Sequence, residues 1–138
     1  MIQEIFIIDN QTEMIKQIQK IFKAERDFKF KSVKTEEIEI ALKNIPALII
    51  INEDNIDKDV VEVCKQIRAD DDNSITPIIV CSSKRELEHS LSVLKNAVEY
   101  YLIQPIDNEY LYYTIKNIVR FMYINRRVSP LTGLPGNV

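Results

Sequence analysis

Apolar and polar residues alternate along this chain in two rhythms that repeatedly trade places. Glu4-Ile5-Phe6-Ile7-Ile8 is a short β-branched and aromatic run ending at Asp9-Asn10, after which Met14, Ile15, Ile18, Ile21 and Phe22 recur at helical spacing. A strand followed by a helix is the expectation. Phe28 and Phe30 alternate with lysines, the pattern of an edge or half-exposed strand, and Ile38, Ala41, Leu42 and Ile45 trace the apolar stripe of a second helix. Pro46 then punctuates the chain before the apolar run from Ala47 to Ile51, a third strand that stops at Asn52.

Beyond the polar Glu53-Asp54-Asn55, the positions Val60, Val63, Cys64 and Ile67 fall on an i, i+3, i+4, i+7 pattern and predict a third helix, closed by a loop from Asp70 to Ser74. Pro77-Ile78-Ile79-Val80-Cys81 is a fourth strand, with proline confined to its start because it donates no ladder hydrogen bond. Leu87, Leu91 and Leu94 mark a fourth helix, and Tyr100-Tyr101-Leu102-Ile103 a fifth strand. Asp107 is placed to cap a last helix with an apolar face of Leu111, Ile115, Ile118, Val119 and Met122. Strands that alternate with helices, several of them apolar on both faces, predict an α/β domain: a doubly wound, five-stranded parallel sheet covered by helices on both sides.

Composition narrows the function more than the fold. The 138 residues suit one domain, and 46% hydrophobic with 28% charged residues is ordinary for a globular chain. Eighteen Lys and Arg nearly balance 21 Asp and Glu, with no basic block, so neither nucleic acid nor an anionic membrane surface is an expected partner. No stretch approaches the roughly 20 apolar residues that cross a bilayer, and the N-terminus does not read as a leader peptide, so the expected location is cytoplasmic. Cys64 and Cys81 lie in apolar patterns without metal-type spacing and read as buried thiols. The lone His89, on a charged helical stretch, reads as a solvated residue.

Gly133 and Gly136 are the two glycines, and both follow the last helix. Glycine-dependent phosphate loops of the Walker and dinucleotide types are thereby excluded from the body. Asn44, Asn73 and Asn96 are candidates for left-handed positions at helix ends.

In an open α/β sheet the ligand crevice lies beyond the carboxyl ends of the strands, which gathers Asp9-Asn10, Asn52-Glu53-Asp54, Ser82-Ser83 and Gln104-Pro105 on one rim. Over about residues 1 to 125 the chain resembles a response-regulator receiver domain. The matches are the acidic end of strand one, Pro77-Ile78-Ile79 entering strand four, and Tyr101-Leu102-Ile103-Gln104-Pro105-Ile106 after strand five. The resemblance implies the flavodoxin-like receiver fold. It also implies a site in which an aspartate ending strand three is phosphorylated with Mg²⁺, two acidic residues after strand one, a Ser or Thr after strand four and a Lys before the strand-five proline.

Carried onto this sequence, those roles give a depleted pocket of Asp9, Asn10, Asn52, Asp54, Ser82 and Gln104, with Tyr101 as the switch-position aromatic. Asn52 stands for the phosphoacceptor, Asn10 for the second acid and Gln104 for the lysine. A carboxamide is a poor nucleophile and forms no acyl phosphate. Loss of carboxylates removes the charge that would hold Mg²⁺, and Gln104 cannot neutralise a phosphoryl oxygen. No catalytic residue, no metal ligand and no cofactor is therefore expected. Glu53 and Asp54 read as solvated loop carboxylates, with replacement phosphoacceptors as the competing possibility. Ser82 and Tyr101 fit either the family's switch pair or ordinary strand-end residues, the tyrosine hydroxyl in water.

The last helix pattern runs from about Asp107 to Arg127, about 30 Å at 1.5 Å per residue. Tyr110, Tyr112, Tyr113, Phe121, Met122, Tyr123 and Ile124 make it aromatic and apolar on more than one face: core and scattered surface residues, or a second buried surface in a homodimer using the fourth and fifth helices. Ser129 to Asn137 is similar to the entry motif of GGDEF diguanylate cyclase domains, although a Pro/Gly-rich tail would also give it. The organisation expected is a receiver-like domain over 1-125, then a linker and the start of a truncated output domain over 126-138. The function expected is a pseudo-receiver: a non-phosphorylatable regulatory and dimerisation module in two-component or cyclic-di-GMP signal transduction, with an output domain in cis. A small-molecule or metal sensor in the vacant pocket, and a working phosphoacceptor at Glu53 or Asp54, are the alternatives.

Overall fold

The computed structural model describes residues 1–127. Five strands and five helices alternate: β1 (Gln3–Ile8), α1 (Glu13–Ile21), β2 (Phe28–Val33), α2 (Ile38–Ala41), β3 (Leu48–Asn52), α3 (Val60–Ala69), β4 (Ile78–Ser82), α4 (Leu87–Leu94), β5 (Tyr100–Ile103) and α5 (Asn108–Arg127). All strand pairs are parallel, and the order across the sheet is β2-β1-β3-β4-β5. The strand order reverses between β1 and β3, which is where an open α/β sheet forms its crevice.

Because successive strand residues point to opposite faces, each strand feeds two cores. Ile5, Ile7, Leu48, Ile50, Ile79 and Cys81 meet α1 and α5 on one side. Phe6, Ile8, Ile49, Ile51, Ile78 and Val80 meet α2, α3 and α4 on the other. All of β3 and β4 is buried, and each such aliphatic side chain contributes about 1.5–3 kcal/mol on leaving water. The expected edge strand is β2, where Phe28 and Phe30 alternate with exposed lysines and pack on Phe22. Asp107 caps α5, its Oδ1 accepting from the Tyr110 backbone N–H at 2.9 Å.

Several sequence-level expectations fail. α2 is a single turn after a 3-10 turn over Thr35–Glu37, and Ile45 lies beyond it, half-exposed rather than on a buried stripe. α4 forms where Leu87, Leu91 and Leu94 mark a helix, and the leucines are its outer face: Leu87 is 71% exposed and Leu91 and Leu94 also reach solvent, while Val93 alone is buried. Leucine spacing is equally periodic on a solvent face, so periodicity could not choose the side. None of the three asparagines is left-handed; Ala97, φ 60°, is the non-glycine residue with positive φ among the described residues. Asn73 is instead fully buried, its Nδ2 donating to the carbonyls of Leu42 and Asn44 and its Oδ1 accepting from the Thr76 hydroxyl.

No helix among the described residues is long and apolar enough to cross a membrane. The segment read as a cyclase entry motif, Ser129 to Asn137, lies outside the described residues.

Candidate functional site at the strand ends

The register brings four strand ends to one level. Ile8 pairs with Ile51, Asn52 with Cys81, and Ser82 with Ile103. Asp9, immediately past β1, and Asn52, the last residue of β3, therefore face each other across the switch point. Both are buried, Asp9 to 1% exposure.

Asn52 is the hub. Its Nδ2 donates to Asp9 Oδ2 at 3.1 Å, and its Oδ1 accepts from the Asp54 backbone N–H at 3.2 Å and from Gln104 Nε2 at 2.8 Å. Gln104 Nε2 also reaches Asp54 Oδ2 at 3.0 Å. The other Asp9 oxygen, Oδ1, accepts from the Gln11 backbone N–H at 2.8 Å. Every contact joins a donor to an acceptor, and the two carboxylates are bridged by carboxamides instead of a cation. The cleft over this network holds about 300 Å³ and is lined by Gln11, Met14, Gln17, Asn52, Asp54 and Gln104 among others.

Asn10 does not reach the network. Its Oδ1 accepts from the Thr35 backbone N–H at 2.9 Å and its Nδ2 donates to the Thr35 hydroxyl at 3.2 Å, turning it towards the end of β2. The same hydroxyl donates to Asp57 and holds that carboxyl below the usual carboxylate range. Asn10 thus serves as a tie between the loops after β1 and β2.

Glu53 is not a solvated loop carboxylate, and Asp54, although exposed, is held by hydrogen bonds. Asp54 Oδ1 accepts from the backbone N–H and the hydroxyl of Ser83, each at 3.0 Å. The Glu53 side chain is only 8% exposed; His89 Nε2 lies 2.9 and 2.8 Å from its two oxygens and Lys84 Nζ 3.5 Å from Oε2. His89 is accordingly a partner of a buried carboxylate, not a solvated residue. Sequence reading missed this pair because 36 positions separate its members; a charged residue directly after an apolar strand was the available signal.

Ser82 is fully buried and its Oγ accepts from the Lys84 backbone N–H at 3.0 Å. The Tyr101 hydroxyl, at an exposed site, is engaged by the protein: it donates to the Lys84 backbone carbonyl at 2.8 Å. Burial pushes the Tyr101 phenol up, with the Ser82 hydroxyl opposing the rise. The loop from β4 to α4 is consequently fastened by Asp54, Glu53, Ser82 and Tyr101 together. Among the described residues no group of three His, Cys, Asp or Glu side chains converges to hold a metal ion. A larger groove of about 910 Å³ between α1 and α5, lined by Lys16, Lys20, Ile21, Tyr112 and Tyr113, lies outside this network.

No protein-family model and no curated protein matches the chain. Solved structures do. A two-component response regulator from Clostridium difficile is 26% identical, with a TM-score of 0.75 over 87% of this chain and 98% of that one. A signal receiver domain from Vibrio parahaemolyticus is 17% identical, with a TM-score of 0.78 over 97% of this chain and 100% of that one. The receiver domain of a Pseudomonas aeruginosa sensor histidine kinase, with a magnesium ion coordinated in its active-site cleft, is 16% identical, with a TM-score of 0.73 over 87% of this chain and 99% of that one.

Proposed function

We propose that this chain, which has the receiver fold of two-component signalling proteins, works as a pseudo-receiver: a regulatory and dimerisation module that takes no phosphoryl group. The observation that carries the reading is the amide of Asn52 at the end of β3, engaged as donor to Asp9 and acceptor from Gln104 and Asp54. Its neutral carbonyl oxygen is a poor nucleophile and is already engaged as an acceptor.

Mg²⁺ does not fit this donor set. The ion needs near-octahedral oxygen ligands, whereas Asp9 Oδ2 already accepts from an amide N–H and the neighbouring position of Asn10 faces Thr35. The reading of Asp54 or Glu53 as a replacement acceptor is disfavoured for a related reason. Both carboxylates are spent on Ser83, Gln104, Lys84 and His89.

Signalling is then carried by association. The exposed leucines of α4, Tyr100 and Ile103 of β5, and Tyr110, Tyr113, Phe121 and Ile124 of α5 supply an apolar face for a second copy. α5, 20 residues long, leads towards the segment similar to a GGDEF entry motif, so the receiver-like domain over 1-125 would pair two output domains of a cytoplasmic cyclic-di-GMP signalling protein.

The test is intact-mass measurement after incubation with Mg²⁺ and acetyl phosphate. The expected spectrum is unmodified protein. A hydroxylamine-sensitive phosphoryl adduct would overturn the proposal, and its loss in Asp54→Asn or Glu53→Gln would identify the acceptor.

A further inference from the structure

The cleft over the Asn52 network presents acceptors and keeps its donors to the protein. Its wall carries the carboxylates of Glu13 and Asp54, the carboxamides of Gln17, Asn52 and Gln104, and the thioether of the buried Met14, and no lysine or arginine lines it. The amide nitrogens are committed elsewhere. Gln17 Nε2 donates to Asn108 Oδ1 at 2.9 Å, Gln104 Nε2 to Asn52 and Asp54, and Asn52 Nδ2 to Asp9. A carboxamide held by its nitrogen turns its carbonyl the other way, and among the described residues Gln17 Oε1 and Gln104 Oε1 accept from no donor.

The charge around the cleft is equally one-sided. Asp9, buried and joined to Asn52, accepts from two N–H groups but meets no cation. Among the described residues none of Asp9, Glu13 and Asp54 has an ion-pair partner. A concave site lined by one sign of charge concentrates counter-ions.

We infer that this cleft binds a small organic ammonium ion, which donates to Gln17 Oε1, Gln104 Oε1 and the carboxylates of Glu13 and Asp54 and lays its alkyl part on Met14. The inference rests on the pseudo-receiver reading, because a phosphoryl group or Mg²⁺ would claim the same cleft. A wall of acceptors selects a guest that only donates, and an alkylammonium has three donors and no acceptor. The two carboxylates turn away anions. A hard metal ion draws its oxygen ligands to about 2.0–2.6 Å, whereas among the described residues no three His, Cys, Asp or Glu side chains converge to supply them. An ammonium bonds at about 2.7–2.9 Å and takes neutral carbonyls and carboxylates together. The volume, about 300 Å³, lies at the lower end of the roughly 300–1,000 Å³ of ligand pockets, so the guest is small.

An NMR titration of the full chain tests this, following the side-chain amide signals of Gln17, Asn52 and Gln104. The probe is n-butylammonium chloride, with n-butanol, sodium butyrate and MgCl₂ at matched ionic strength as controls. Saturable shifts with n-butylammonium alone are the expected result. Glu13→Gln, at an exposed position outside the Asn52 network, should weaken binding about tenfold, the order of one hydrogen bond to a charged group. Gln104→Lys should abolish it, since the new side chain brings its own ammonium into the cleft. Equal shifts with any control would overturn the choice of guest. No saturable shift, or unchanged affinity in both variants, would overturn the site. These outcomes are separate from the pseudo-receiver reading, which fails only if acetyl phosphate leaves an adduct.

Discussion

Asn52 Nδ2 stands 3.1 Å from Asp9 Oδ2, a donor facing a buried carboxylate where an oxygen would be repelled. The neutral amide is therefore an electrostatic solution as well as a chemical loss. It satisfies Asp9 without a cation, and its carbonyl satisfies Gln104 and Asp54 on the other side.

Asn52→Asp should reverse that balance. It puts two carboxylates in contact, removes the donor to Asp9 and is expected to destabilise the fold by about 2 kcal/mol. Urea denaturation with and without Mg²⁺ checks it: Mg²⁺ should recover stability in the variant and leave the natural protein unchanged. Equal stability of both proteins without metal would contradict the role given to the amide.

The two thiols give a second check. Desolvation by burial raises Cys64 and Cys81 to about 12, so the thiolate is almost absent near neutrality. Labelling by a disulfide reagent at mildly alkaline pH should be negligible for the folded protein. Both sites should react together once denaturant crosses the unfolding midpoint.

A surface tie sets a third, pH-dependent expectation. Glu25 accepts from Lys116 Nζ and from the Tyr112 hydroxyl, each at 3.0 Å. The lysine first and the phenol second lower the Glu25 carboxyl, and the Glu25 hydrogen bond raises Lys116. A lowered acid contributes stability that is present above its unfolded pKa and lost as pH falls through its folded one. A raised base contributes below its unfolded pKa and loses the contribution as pH rises through its folded one. The melting temperature of Glu25→Gln should thus fall below that of the natural protein across the neutral range, and the difference should close at both extremes. A difference independent of pH would refute the tie.

Ala97 supplies a fourth. Its φ of 60° puts a Cβ where L-residues are strained, at the turn between α4 and β5. Ala97→Gly should relieve the strain and stabilise the protein by about 1 kcal/mol, unlike most glycine substitutions. An unchanged or lower denaturation midpoint would count against it.

What could be read from the chain follows from how local each determinant is. β3 and β4 are legible because an unbroken apolar run between turn-forming or polar residues has few other fates, and α1, α3 and α5 because their buried apolar residues recur at helical spacing. The positions of Asp9, Asn52 and Gln104 at strand ends followed from the same strands. α4 is legible as a helix from Leu87, Leu91 and Leu94, but its buried face is not, since those leucines form the outer face while Val93, one residue in eight, anchors it. Asparagine preference pointed to the wrong residues for the left-handed position, because tertiary context at Ala97 overrides propensity. The Glu53 and His89 pair, like the turn of Asn10 towards Thr35, joins residues distant in the chain and has no local signature.

The fastening of the segment between β4 and α4 has a mechanical consequence. Lys84 alone is gripped at its N–H by Ser82, at its carbonyl by Tyr101 and at its ammonium by Glu53, while Ser83 is moored to Asp54. These ties limit the play between the end of β4 and α4 and link the position of that segment to Glu53 and Asp54, the two residues directly after β3.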